Sequence, residues 1–136
     1  MKVTNYKGIE LEDVDVKGAK NTKIRWLIDE RDKAPNFAMR MFEVEKDGNT
    51  PFHFHEWEHE VFVIQGEGKL VFESEEIPFK KWDVIFVDPN KKHQFVNTGN
   101  DKLRFLCIVP HKKSESQKTN KNTDINPFAS GKANNC

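Results

Sequence analysis

Residues 53–66 read HFHEWEHEVFVIQG, a stretch that holds three of the chain's five histidines. Side chains two residues apart on an extended chain project from the same face, so His53 and His55 should point the same way. The run that follows alternates, with His59, Val61 and Val63 on one face and the side chains between them on the other. If the valines face the interior, His59 does as well. The stretch therefore predicts a β-strand that carries imidazole groups on its buried face.

Short apolar runs continue along the chain at a spacing typical of β-sheet proteins. Clusters of Gly, Pro, Asn and Asp separate these runs, and such spacing predicts an all-β sandwich or barrel. Gly66 and Gly68 predict a hairpin turn rather than a phosphate-binding loop, because no helical pattern follows them. The runs are residues 23–29, 37–44, 60–65, 69–73, 83–88, 94–97 and 102–110.

The 136 residues are within the usual size of one domain. We expect an N-terminal strand segment at 1–23, a barrel core at 24–110 and a polar, flexible C-terminal tail at 111–136. The tail is rich in Lys, Ser, Asn and Thr, and it has too few apolar side chains to offset the entropy of ordering it. Within it, Ile125 and Phe128 are side chains that could dock on the barrel.

The charge balance argues against nucleic-acid and membrane partners. Lys plus Arg and Asp plus Glu number 22 each, so no net field would attract nucleic acid or an acidic membrane surface. No apolar run approaches the ~20 residues that span a bilayer, and no signal-peptide pattern opens the chain. Cys107 and Cys136 indicate neither a disulfide framework nor a Cys-based zinc site. We expect a cytoplasmic protein.

A fourth imidazole, His93, begins the strand-like run HQFVN. Four imidazoles inside a barrel could hardly stay there as cations, whereas neutral imidazole is a good ligand for divalent first-row metals. The competing interpretation is that individual strand histidines are exposed or merely hydrogen-bonded. Four histidines in matched positions favour a metal site.

In these stretches the sequence resembles the cupins, whose barrel is a jelly roll. The first cupin motif is G-x5-H-x-H-x3,4-E-x6-G, and HFHEWEHEVFVIQG matches it with His59 in place of the usual glutamate. The second motif is G-x5-P-x-G-x2-H-x3-N, and HQFVN matches its end, beginning at His93. The resemblance covers roughly residues 24–110, and it implies an all-β, single-domain jelly-roll barrel.

The chain departs from these motifs at several positions. The spacing to the final glycine of the first motif selects His59, but the looser form H-x4-E keeps Glu60 as an alternative metal ligand. In the second motif, Trp82 and Asn90 stand where the family has glycine, and Asp88 stands at the proline position. Asparagine tolerates a left-handed backbone better than other non-glycine residues, so the turn at Asn90 should be preserved.

The chain looks most like the small single-domain cupins of the cupin 2 conserved-barrel type, whose metal, often manganese, is held by four histidines. That resemblance implies His53, His55, His59 and His93 as ligands, and it implies a homodimer. Manganese is the expected metal and iron the next, with zinc or nickel possible. Four imidazoles nearly saturate zinc, whereas six-coordinate manganese or iron would keep two open positions.

Alternation along the strands also indicates which side chains surround the metal. Phe95 continues the face of His93, and Phe105 and Cys107 share one face of the run LRFLCIVP. The resemblance marks these three as walls of a substrate pocket, with simple core packing as the alternative. Arg40 could present its charge inward to an anionic substrate, although a solvated position or an ion pair at a sheet edge is more ordinary for arginine.

A site of four neutral imidazoles adds no negative charge, so its metal should favour small anionic or chelating ligands. We expect oxidoreductase or dioxygenase-like chemistry on a small molecule at a manganese or iron centre. The alternatives are a non-redox isomerase or decarboxylase, and a non-catalytic protein that binds a small ligand or the metal itself. One of the flanking glutamates, Glu56, Glu58 or Glu60, could orient a ligand histidine through its free N–H.

Overall fold

The apolar runs of the sequence form β-strands in the computed structural model, which describes residues 1–111. Two one-turn 3-10 helices, Tyr6–Gly8 and Glu30–Asp32, accompany the strands. The nine strands of the described part are β1 (Glu12–Asp13), β2 (Lys20–Ile28), β3 (Phe37–Asn49), β4 (His59–Gln65), β5 (Glu67–Phe72), β6 (Glu75–Lys80), β7 (Val84–Val87), β8 (His93–Asn97) and β9 (Leu103–Pro110).

Antiparallel pairing joins these strands into one curled sheet. Its order is β6-β5-β8-β3-β9-β4-β7, with β2 added to β3 and β1 added to β2. The long strand β3 links the two parts of the barrel, because most of it pairs with β2 and β9 while its last residue, Asn49, pairs with Val96 of β8. This arrangement confirms the single-domain, all-β jelly-roll barrel expected from the sequence.

Alternate side chains of the central strands fill the barrel. On β9, Leu103, Phe105, Cys107 and Val109 are each at most 1% exposed, and the residues between them face outward. The Phe105 ring lies 4.8 Å from the ring of Phe95 on β8. Removing each such apolar side chain from water contributes about 1.5–3 kcal/mol. The interior is therefore a packed aromatic and aliphatic core that continues up to the histidines.

Of the nine strands, β6 was not predicted from the sequence, whereas β1 lies within the N-terminal strand segment expected at 1–23. β6 contains Pro78, which lacks the N–H group that a strand between two neighbours must donate. In the described part of the chain β6 pairs with β5 alone and lies at the end of the sheet order, which is where a strand tolerates proline. Its Phe79 is the side chain that it buries in the core.

The predicted hairpin at Gly66 and Gly68 is wrong. Gly66 has φ +85° and joins β4 to β5, but these strands do not pair with each other; β4 pairs with β7 and β9, and β5 with β6 and β8. Gly66 is thus a corner at which the chain crosses between parts of the barrel. Gly68 lies inside β5, where an added Cβ would stand 2.4 Å from the carbonyl oxygen of Val96.

The segment boundaries expected from the sequence, at 23/24 and 110/111, can be compared with the observed strands. Position 23/24 lies inside β2, which begins at Lys20, and the expected tail lies outside the described residues except for its first residue. The backbone N–H of that residue, His111, donates to the Asn36 carbonyl oxygen at 3.0 Å. Neither helix of the described part has the length and apolar composition needed to cross a membrane.

Candidate metal centre

Three segments of the chain bring four histidines to one end of the barrel interior. His59 begins β4 and His93 begins β8. His53 precedes β4 and forms an isolated bridge with His93, in which each backbone N–H donates to the other's carbonyl oxygen, at 3.1 and 2.9 Å. The carbonyl oxygen of His55 accepts from the backbone N–H of Asn90 at 2.7 Å. Backbone hydrogen bonds thus set the positions from which the imidazoles project.

The imidazoles of His53, His55 and His93 form a cluster, and that of His59 lies beside it. Ligand atoms of His53, His55 and His93 all lie within 4.8 Å of one another. The fourth ring is close to two of these, with Nε2 of His59 3.0 Å from Nε2 of His55 and ring centroids of His59 and His93 5.1 Å apart. His59 and His93 are buried, whereas His53 and His55 are half-buried. The cluster is therefore reached from the side of His53 and His55.

Backbone carbonyls determine which nitrogen of two rings is available. Nδ1 of His93 donates to the Lys91 carbonyl oxygen at 2.8 Å, and Nδ1 of His55 donates to the Trp57 carbonyl oxygen at 3.2 Å. A carbonyl oxygen can only accept, so both rings carry their proton on Nδ1 and present an unprotonated Nε2. These two nitrogens are suited to a metal ion.

The separations within the cluster also fit one ion. Two nitrogen ligands about 2.1 Å from a metal and at right angles to each other would lie about 3 Å apart, which is the distance between Nε2 of His55 and Nε2 of His59. A divalent cation would bind both lone pairs at this distance. The residues present therefore fit a metal held by imidazole nitrogen.

His59 differs from the other rings in what its Nδ1 contacts. Sγ of Cys107 lies 3.1 Å from it and Nη2 of Arg40 lies 3.5 Å from it. Arg40 also donates to Sγ of Cys107 at 2.9 Å, and its guanidinium lies over the rings of Trp26 and Phe42 at 5.5 and 5.2 Å. These contacts place Arg40 and Cys107 behind His59, on the side away from His55.

Arg40 is buried rather than solvated, and it does not lie at a sheet edge, where arginine is more ordinarily found. It is 0% exposed on β3, a strand with neighbours on both sides. Because β3 pairs Arg40 with Cys107 of β9, the side chain of Arg40 points inward, and its contact with an anionic substrate stays a prediction. Burial raises the pKa of the Cys107 thiol, and the charge and hydrogen bond of Arg40 partly oppose that rise.

The glutamates next to these histidines face elsewhere. Glu60, the alternative ligand, is exposed and aligned with Phe86 and Ile108 on the outer face of the sheet, whereas His59 beside it is 0% exposed. A hydrogen bond that protonated Glu58 can donate to the Glu60 carboxylate, together with burial and nearby negative charge, raises the pKa of Glu58. For His55 and His93, the groups that accept from Nδ1 are backbone carbonyls rather than the glutamate carboxylates that we considered.

The expected pocket residues lie in the core beneath the cluster. Phe95, Phe105 and Cys107 are each 1% exposed, and the Phe95 ring lies 6.0 Å from that of His93. This position is compatible with packing and with contact to a bound molecule, so their role as pocket walls remains a prediction. The sequence analysis missed the contact of Trp57 with the site. The Trp57 ring stacks on the His55 ring, with ring centroids 4.4 Å apart and ring planes 2° from parallel. The sequence signal was an aromatic side chain two residues beyond His55.

Comparisons with known proteins point to one family. The family model described as "Cupin domain" matches residues 40–109. The polyketide cyclase RemF of Streptomyces resistomycificus has a similar structure, with TM-score 0.77 and 38% identity over 81% of this chain and 79% of that one. A protein of Thermotoga maritima described as a predicted oxalate decarboxylase gives TM-score 0.72 and 25% identity, over 80% of this chain and 98% of that one.

A curated relative matches over a shorter segment. The "Oxalate-binding protein" of Thermotoga maritima is 38% identical over 58 residues, which are 42% of this chain and 48% of that protein. The chain therefore spans about half of the length of this relative.

Proposed function

The chain belongs to the cupin family, and we propose that it binds one divalent metal ion through His53, His55, His59 and His93 and uses that ion to hold a small anionic molecule. The observation that carries this proposal is the convergence of the imidazoles, with Nδ1 of His55 and His93 bonded to backbone carbonyls. Such hydrogen bonds orient a ring and keep Nε2 available to a metal.

Manganese is the metal that we propose first, iron second, with zinc and nickel as the further possibilities. Manganese and iron accept six ligands, so four imidazoles would leave two positions for a chelating molecule. The tetrahedral preference of zinc would be met by the histidines themselves.

The charge of the site supports an anionic ligand. Neutral imidazoles leave the full charge of a divalent ion in place, and the buried guanidinium of Arg40 adds a further positive charge 3.5 Å from His59 Nδ1. In a barrel interior such charges are screened far less than in water. We propose a small dicarboxylate or a similar bidentate oxygen ligand, in keeping with the oxalate named for the curated relative.

Two kinds of reaction remain candidates. A bound divalent metal would supply Lewis acidity at an oxygen of the ligand, which suits a non-redox isomerase or decarboxylase and is the class that the names of the similar proteins favour. Dioxygenase-like oxidation at manganese or iron is the prediction from the sequence. Turnover under strict anaerobiosis would support the first class, and oxygen consumption dependent on the small molecule would support the second. Tight binding without turnover would indicate a non-catalytic binding protein.

Metal analysis tests the metal centre itself. We expect about one manganese or iron per chain in purified untagged protein, and a loss of most of it in His59→Ala and His93→Gln. Glu60→Ala should keep the metal, because that carboxylate lies on the outer face. His111→Gln is the matched control, since this histidine contacts the Ala34 carbonyl oxygen outside the cluster. Retention of metal in His93→Gln, or its loss in Glu60→Ala, would contradict the proposed ligand set.

The homodimer and the cytoplasmic location remain predictions. Phe54 and Phe62 are outward aromatic side chains, 60% and 38% exposed, and they are candidates for the dimer interface. A sedimentation-velocity experiment on the metal-loaded protein measures the oligomeric state directly, and a single monomer peak at micromolar concentration would contradict the dimer.

A further inference from the structure

We infer that Cys107, held by Arg40, is a positioning residue that keeps His59 in the tautomer able to bind metal. The inference rests on the proposed metal function. It assigns to Cys107 a role other than the pocket wall expected from the sequence, and it makes Arg40 part of the support of a ligand rather than a contact to substrate.

The first step is the difference between His59 and its neighbours. His55 and His93 donate from Nδ1 to backbone carbonyls. A backbone carbonyl is an acceptor regardless of which side chains lie near it. Nδ1 of His59 instead faces two side-chain groups, Sγ of Cys107 and Nη2 of Arg40. The tautomer of this ring is therefore open to control by side chains.

The second step is the direction of these hydrogen bonds. Guanidinium nitrogen can only donate, whereas sulfur can accept. For Nε2 of His59 to bind a metal, Nδ1 must carry the proton and donate it, and of the two groups Cys107 is the one that can accept. Arg40 donates to the same sulfur at 2.9 Å, which fixes the sulfur in place and directs one of the two Nη2 hydrogens to the sulfur; the longer contact of Nη2 with Nδ1, at 3.5 Å, is the weaker of the two.

The third step is what the other tautomer would do. If Arg40 donated to Nδ1, the proton of His59 would lie on Nε2, which is 3.0 Å from Nε2 of His55. His55 presents a lone pair there, because its own Nδ1 donates to the Trp57 carbonyl. The two rings would then be joined by a hydrogen bond that closes both nitrogens to a metal. The contact at Cys107 thus decides between a metal-binding cluster and an internally hydrogen-bonded one.

Two substitutions at one position separate this role from packing. Cys107→Ala removes the acceptor, so we expect metal affinity to fall 10–100-fold, the usual effect of losing a partner of a ligand histidine. Cys107→Ser loses the same sulfur but keeps an acceptor, and should retain affinity within a few-fold of wild type. Val63→Ala is the cavity control, because Val63 is a 0% exposed side chain of β4 that pairs with Phe105 rather than with Cys107.

A second, independent test of the positioning role uses a substitution of Arg40. In Cys107→Ala, the sulfur that accepts from Arg40 at 2.9 Å is gone, and donation from Nη2 to Nδ1 would favour the closed arrangement. Adding Arg40→Met to that variant removes this donor, and we expect the double variant to bind metal more tightly than Cys107→Ala alone. Circular dichroism establishes that each variant is folded before its affinity is compared.

The decisive measurement is the tautomer of His59 in metal-free protein labelled with ¹⁵N-histidine, read from long-range ¹H–¹⁵N correlation spectra at mildly alkaline pH. The inference expects an Nδ1–H signal for His59 in wild type and in Cys107→Ser, and an Nε2–H signal in Cys107→Ala. Isothermal titration with Mn²⁺ gives the affinities of the same samples.

The outcomes distinguish the two proposals. If His93→Gln abolishes metal binding while Cys107→Ala keeps wild-type affinity and tautomer, the proposed function stands and the positioning role is overturned. Equal losses in Cys107→Ala, Cys107→Ser and Val63→Ala would also overturn it, since they report packing alone. If wild type binds no metal, the proposed function fails. In that case a His59 signal that moves from Nδ1–H in wild type to Nε2–H in Cys107→Ala would still support the positioning role. A His59 signal that does not change would overturn it.

Discussion

Glu43 is a carboxylate buried on the outer face of β3, opposite the histidine side of the barrel. It is 2% exposed and lies 3.2 Å from Nε of Arg104 and 3.3 Å from Nζ of Lys102. Arg25 adds a third ion pair at 3.5 Å and also donates to carbonyl oxygens of the N-terminal segment. Burial by itself would raise the pKa of Glu43, but Arg104 and Lys102 together outweigh it, so that the pKa lies below the ordinary 4.5.

A lowered pKa in the folded state makes stability depend on pH in one direction. The contribution of Glu43 is fully present above its unfolded pKa of 4.5 and is lost as pH falls through the lower folded value. We expect Glu43→Gln to lose about 2–3 kcal/mol at neutral pH, because Arg25 and Arg104 lose the carboxylate between them, while Lys102 keeps Glu45 at 3.5 Å. Urea unfolding in EDTA across the acidic range measures this, and the gap between the two proteins should narrow below pH 4.5. A gap that stays constant with pH would contradict the assignment.

The turn between β6 and β7 shows how an element tolerates an unsuitable residue. Trp82 stands at a glycine position of the second cupin motif and has φ +79°, a conformation that costs residues with a Cβ about 1–2 kcal/mol. Its backbone N–H donates to the Val63 carbonyl oxygen at 2.8 Å, and Asp83 N–H donates to the Lys80 carbonyl oxygen at 3.0 Å. These hydrogen bonds hold the turn in place. Asn90, at the other glycine position, has φ +65°, which confirms the left-handed turn predicted there.

Two substitutions of Trp82 isolate the backbone strain. Trp82→Gly and Trp82→Ala both remove the contact of the 61% exposed ring with Phe62, but only glycine relieves the strain. We expect Trp82→Gly to be more stable than Trp82→Ala by about 1 kcal/mol. Chemical denaturation of both variants gives this difference, and an alanine variant as stable as the glycine variant would show that the turn relaxes in solution.

At the scale of the whole molecule, the histidine cluster joins parts of the chain that are distant in sequence. His53 and His55 precede β4, His59 begins β4 and His93 begins β8, so an ion bound to all four would link the two parts of the barrel. The unfolded chain cannot hold these groups together without paying loop-closure entropy. Metal binding should therefore favour the folded state strongly.

The increase in the free energy of unfolding caused by metal binding can be calculated from the metal concentration and the dissociation constant. At a free Mn²⁺ concentration 100 times the dissociation constant, the free energy of unfolding should rise by about 2.7 kcal/mol over the value in EDTA. Urea unfolding at fixed free metal measures the increase. In His93→Gln, compared with the same variant in EDTA, the increase should vanish; an equal increase there would indicate that the stabilising metal binds elsewhere.

The sequence by itself determined the features that depend on local alternation and spacing: an all-β sandwich or barrel, the inward side of His59 and the outward side of Glu60. The choice of a jelly-roll barrel came from the resemblance to the cupins. A strand has a period of two residues, so one assigned face fixes its neighbours. The sequence did not reveal β6, because Pro78 weakens its strand pattern. It also predicted a hairpin at Gly66, where the chain turns a corner, because both kinds of turn need a residue with positive φ. The partners of each strand are not encoded in that local geometry.

Only the tertiary structure decided the surroundings of the ligands. Arg40 and Cys107 are 67 residues apart in the chain, and they meet because β3 and β9 pair in a particular register. The Trp57 and Lys91 carbonyls that orient His55 and His93 belong to irregular segments whose direction follows from how the chain enters the barrel. Spacing along a sequence can name the residues that bind a metal, but the hydrogen bonds that select their tautomers depend on contacts across strands, which form only when the sheet closes.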